Sequence, residues 1–141
     1  MVARMFSGGF FSHGVMNLMP AQCFELCSKS AVIVDVREPW ISNFKTFKVD
    51  RVLYLPFSEL EKSYMELPPG LPLIFADSVG LRSREAVLFM IGKGYNNVAN
   101  MAGGIVDWER DGLPLSADIG NRLSGSCMCQ LKPREGKGRN K

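Results

Sequence analysis

The amino-acid sequence predicts an α/β domain of three layers, with a central, mostly parallel sheet of five strands between helices. Two observations carry this. Short apolar runs rich in β-branched residues alternate with stretches of helical character. The runs are apolar almost throughout rather than at every second residue, as expected of strands covered on both faces.

The elements follow in order. Residues 15–18 (VMNL) form the first strand. Pro20 fits the first turn of a helix to about residue 28, because the amide proton it lacks has no helical partner there. Residues 31–36 (AVIVDV), 51–55 (RVLYL) and 71–76 (LPLIFA) are strands of the same apolar character. Residues 58–67 read as a helix with Ser58 as N-cap and Glu59 and Glu61 in the first turn, where the helix dipole favours negative charge. Residues 83–94 are apolar on most sides and predict a deeply packed helix stopped by Gly94. Residues 96–101 (NNVANM) are the last strand, and 103–112 a short helix closed by Gly112 and Pro114.

A chain of 141 residues holds one domain with tails. The domain is placed at 15–118, after an N-terminal extension at 1–14 and before a flexible, basic, cysteine-containing tail at 119–141. From Gln130 to Lys141 five basic residues stand against one acid, so +4 of the net +3 lies there and the rest of the chain carries −1. That end reads either as a solvated terminus or as an arm for an acidic partner. No aromatic residue is interleaved with its charges, which argues against nucleic acid. No apolar run approaches the ~20 residues that span a bilayer, and the N-terminus makes a poor signal peptide. A cytoplasmic protein with reduced thiols is the expectation.

The stretch FADSVGLRSREA, residues 75–86, leaves a strand and enters a helix. Gly80 permits positive φ, which lets successive amides point inward; the helix opening near Ser83 adds free N–H groups. Arg82 supplies a guanidinium suited to oxyanions. Asp77, Ser78, Val79, Gly80, Leu81, Arg82 and Ser83 thus make an anion-receiving cradle at the carboxyl end of a strand, where such sheets bind ligands. A carboxylate, Asp77, stands at its entrance.

The chain resembles the rhodanese-homology family of sulfurtransferases and their inactive relatives. VDVREP (34–39) is similar to the family's D-x-R-E-P turn, LYLPFSEL (53–60) to its Pro-x-S-E-L segment, and GLRSREAV (80–87) to G-x-R-S-x-x-A. KGYNNVANMAGGIVDWERDGLPL (93–115) resembles the family's ending. The resemblance covers roughly residues 16–116 and implies that 77–82 is the active-site loop. Its six residues match the sulfur-handling members; related dual-specificity phosphatases have one more. Active members begin this loop with a persulfide-carrying cysteine, where this chain has Asp77. Residues 40–51 also lack the family's G-H-I-x-G-A turn, at one rim of the pocket.

A carboxylate cannot store sulfane sulfur, so the resemblance implies a member without thiosulfate sulfurtransferase activity, acting as a binding or regulatory module for a protein partner or small anion. Three readings of Asp77 stand: an internal anion held by the loop amides and paired with Arg82, a polar cap without a role, or a catalytic carboxylate. The alternative to an inactive member is an enzyme in which Cys127 or Cys129 enters the cradle and carries sulfur, with Lys132 and Arg134 favouring the thiolate. Cys23 and Cys27, four apart, read as small buried residues on one helix face. The C-x₃-C and C-x-C spacings are weak zinc signatures, and neither metal nor cofactor is expected. His13 reads as a surface residue, and Trp40 and Trp108 as packing.

Overall fold

The computed structural model of the chain describes residues 6, 8–42 and 45–116. Strands β1 (Phe10–Ser12) and β2 (Val15–Leu18) form a hairpin that pairs Phe10 with Asn17 and Ser12 with Val15. Its two-residue turn places His13 at φ 56° and Gly14 at φ 82°, the left-handed pair that matches the twist of a hairpin. Helix α1 (Pro20–Cys27) follows; the side-chain oxygen of Gln22 accepts the Met19 amide at 2.8 Å and so closes its first turn.

Strand β3 (Val32–Asp35), helix α2 (Pro39–Ser42), strand β4 (Thr46–Phe47) and strand β5 (Val52–Tyr54) come next. A short helix α3 (Leu60–Ser63) lies between 3₁₀ turns at Phe57–Glu59 and Tyr64–Glu66. Strand β6 (Leu73–Ala76), helix α4 (Leu81–Gly92), strand β7 (Val98–Met101), helix α5 (Gly104–Arg110) and strand β8 (Leu115–Ser116) complete the order.

The main sheet runs β1-β2-β7-β6-β3-β5, parallel throughout except for β1. Among the described residues it has six strands, not the five expected. The sequence hides β1 because FFS is three residues long, its phenylalanines are exposed, and the turn after it lacks the Asn-Gly or Asp-Gly signal of a hairpin. A separate ladder joins β4 to β8.

Both faces of the sheet are covered, which explains the unbroken apolar runs. Ile33, Ile74, Ala99 and Met101 pack with Cys23, Cys27, Ile105 and Trp108 under α1 and α5, whereas Val32, Val34, Leu73 and Phe75 pack with Val87 and Met90 under α4. Phe6 is fully buried in the first of these cores. Trp108 meets the rings of Phe47 and Phe24 edge-on, and its indole N–H donates to the Pro114 carbonyl at 2.7 Å. It is a packing residue. Trp40, by contrast, is 66% exposed.

Two helix starts differ from expectation. Helix α4 starts at Leu81, two residues early, because Gly80 at φ 97° takes the cap position in the left-handed region. Ser58 caps no helix: it lies within a 3₁₀ turn, and its hydroxyl donates to Glu38 Oε1 at 3.2 Å. No helix among the described residues is long and apolar enough to cross a membrane.

Candidate functional site

From β3 the chain moves outward to β5, then returns to β6 and moves the other way to β7. The strand order therefore reverses between β3 and β6, and the carboxyl ends of these two strands frame the crevice that such a reversal opens. Asp35 ends β3, and Asp77 directly follows β6.

Backbone hydrogen bonds tie the loop after β6 to the start of α5. The amides of Ile105 and Val106, at the start of α5, donate to the carbonyls of Asp77 at 2.9 Å and Ser78 at 3.1 Å. This approach requires glycine. A Cβ on Gly104, whose φ is 61°, would fall on the Asp77 carbonyl and on Ser78. At Gly80 a Cβ would stand 3.1 Å from the Gly103 nitrogen and 3.2 Å from the Met101 oxygen.

Asp77 is 5% exposed, and its carboxylate turns inward. Oδ1 accepts the Gly80 amide, and Oδ2 accepts the Arg82 amide at 2.9 Å. The Ser83 hydroxyl stands 3.3 Å from Oδ1 and also faces Asn100 Oδ1. Gly80, Arg82 and Ser83 are thus brought together around Asp77. Ser78 is half-buried, and Val79 and Leu81 are exposed on the rim at 50% and 56%. The Arg82 side chain departs from expectation. It does not pair with Asp77 but lies over the ring of Phe57, its guanidinium carbon 5.3 Å from the centroid. Its backbone amide makes the bond instead.

Behind the loop Asp35 is fully buried and bound by Arg37, whose Nη2 reaches Oδ2 at 2.8 Å and Nε reaches Oδ1 at 3.0 Å. The Arg37 amide adds a third donor at 3.1 Å, and Nη2 also donates to the Lys45 carbonyl at 2.6 Å. Burial pushes the Asp35 carboxyl up; Arg37 opposes this, and the charge of Asp77 adds to the upward push. Among the described residues no group of three or more His, Cys, Asp or Glu side chains is placed to hold a metal ion.

Cys23 and Cys27 are buried free thiols, as their spacing implied. Burial, with a smaller push from Asp50, raises Cys27 to about 12; burial and then Cys27 raise Cys23 well above the usual thiol range. Neither is a nucleophile at neutral pH. Cys127 and Cys129 lie outside the described residues, as do Lys132 and Arg134.

Sequence reasoning missed two buried amides, Asn17 on β2 and Asn100 on β7, which join Ser83 to the hairpin. The signal was present: each is a polar residue inside a strand otherwise apolar, VMNL and VANM.

A mostly parallel sheet covered on both faces, with a tight loop at the carboxyl end of a strand by the switch point, defines a class of three-layer α/β proteins. Within that class the chain belongs to the rhodanese-like domain family, whose profile matches residues 20–111. It is 29% identical over 93 residues to a sulfurtransferase of Allochromatium vinosum, covering 66% of this chain and 85% of that protein. It is 28% identical over 103 residues to the thiosulfate sulfurtransferase GlpE of Haemophilus influenzae, covering 70% and 92%. The crystal structure of a rhodanese-related protein from Thermoplasma volcanium superposes with a TM-score of 0.65 at 28% identity, over 71% of this chain and 96% of that one.

Proposed function

We propose that this protein is a rhodanese-like member without thiosulfate sulfurtransferase activity at the family position, in which Asp77 occupies the nucleophile's place as an internal anion. The domain then works as a binding or regulatory module. Ser78, Val79, Gly80, Leu81, Arg82 and Ser83 form the recognition surface for a protein partner; a small anion, the other ligand the sequence suggests, is disfavoured while Asp77 holds the loop amides. One observation carries the reading: Asp77 is 5% exposed, and its carboxylate takes the loop amides of Gly80 and Arg82 for itself. Those donors are the ones an incoming anion would need, and a second negative charge beside Asp77 is repelled. Sulfur transfer through a persulfide requires a thiolate that forms and then gives up an S–S bond, which a carboxylate does not do.

The test is thiocyanate formation from thiosulfate and cyanide. The unaltered protein is expected to form none above the uncatalysed rate, and Asp77→Cys to gain measurable turnover on the same scaffold. Turnover in the unaltered protein that vanishes in a Cys127→Ser/Cys129→Ser double variant selects the alternative, a tail thiol that carries the sulfur. Turnover that survives the double variant refutes both readings.

A further inference from the structure

We infer that Asn17 and Asn100 are positioning residues through which the N-terminal hairpin sets the conformation of the 77–83 loop. The inference rests on the proposed role of that loop as the recognition site. Both side chains are buried, at 5% and 2% exposure, and a primary amide out of water is costly unless its donors and acceptor are all engaged.

The bonding pattern orients both amides. Asn17 Nδ2 lies 3.1 Å from the Val15 carbonyl, 3.3 Å from that of Ser12 and 3.4 Å from that of Phe10. Carbonyls only accept, so this end of Asn17 is the nitrogen, and Oδ1 faces Asn100. Asn100 Nδ2 donates to that oxygen at 2.9 Å and to the Gly80 carbonyl at 3.3 Å. Asn100 Oδ1 is therefore left to the Ser83 hydroxyl, which also stands against Asp77. One continuous chain runs from hairpin carbonyls through Asn17 and Asn100 to both ends of the turn, Gly80 and Ser83. The hairpin, residues 10–18, precedes the segment 20–111 that the family profile matches.

Amide hydrogen exchange on the full chain tests this. Among the described residues the Asn17 side chain bonds to the hairpin and to Asn100, so the hydrogen-bonded route from Asn17 to the loop runs through Asn100. In Asn17→Leu and in Asn100→Leu the amides of Gly80 and Arg82 are expected to exchange about 5- to 30-fold faster relative to those of Ile33 and Val34 in β3. Cys27→Ala, in the core on the opposite face, lowers stability without touching the chain and leaves that ratio unchanged. Equal acceleration of loop and β3 amides in the Asn variants overturns the inference. Should a Leu variant fail to fold, Asn17→Ser and Asn100→Ser give the same comparison with the same two outcomes. No sulfur donor is involved, so the result is independent of the thiocyanate assay and its bearing on Asp77.

Discussion

Asp77 shows what one side chain does to a site made of backbone. Gly80 and Arg82 present amides that would otherwise need water or an anion, and the carboxylate takes both. Asp77→Ala is expected to cost about 2 kcal/mol in chemical denaturation, the range for buried donors left without partners. It should also convert the loop into a site for an external oxyanion. Sulfate is then expected to raise the melting temperature of Asp77→Ala more than chloride at equal ionic strength, and to show no such preference with Asp77 present. Equal response of the two proteins would sink the internal-anion reading. Much of this was legible in the sequence, because Asp77, Gly80 and Ser83 lie within seven residues and local spacing dictates their meeting. The Arg82 guanidinium was misread for the opposite reason. Its partner, Phe57, is 25 positions away and is brought near only by the fold. Cys23 and Cys27 yield a second expectation at this scale. With Cys27 raised to about 12 and Cys23 also well above the usual range, iodoacetamide at pH 8 leaves both unmodified in the folded protein, and peptide mapping locates any adduct at Cys127 or Cys129. Rapid labelling of Cys27 contradicts the burial described.

At the scale of elements, the site depends on how closely the loop after β6 and the start of α5 approach. Gly104 and Gly112 separate conformational strain from steric collision. Both have positive φ, 61° and 78°, but an added Cβ meets the Asp77–Ser78 backbone at Gly104 and open space at Gly112. Gly112→Ala is expected to cost about 1 kcal/mol, the penalty of a left-handed alanine. Gly104→Ala should cost at least about 3 kcal/mol, because backbone must move, and should shift the Gly80 and Arg82 amide resonances. Similar costs at the two positions would show that the loop yields easily. The sequence disclosed the strand and helix alternation well, since apolar runs and glycine stops are local. It did not disclose β1, whose three residues gain their structure only from the ladder with β2. Nor did it disclose β4 and β8, two residues each, whose pairing joins Thr46 to Ser116 across most of the domain.

The whole molecule adds a constraint that no element carries: the sheet is sealed on both sides, so whatever lies in its core titrates as part of the fold. Cys23 and Cys27 belong to the core under α1 and α5. Their unfolded reference is 9.0, and in the folded state Cys27 is raised to about 12 with Cys23 also raised. Below pH 9 folded and unfolded chains hold these protons alike, so their contribution to stability is fully present. Above pH 9 the unfolded chain releases them and the folded one does not, so stability falls as pH rises toward the folded values. Each thiol contributes a slope of about 1.4 kcal/mol per pH unit in that window. Tyrosines and lysines titrate nearby, so the informative quantity is a difference. Between pH 9 and 11, denaturant unfolding of Cys27→Ala is expected to lose stability less steeply than the parent by about that slope, the two curves converging as pH rises. Parallel curves would mean that Cys27 is not sealed from water, and that the core under α1 and α5 is open where the fold has it closed.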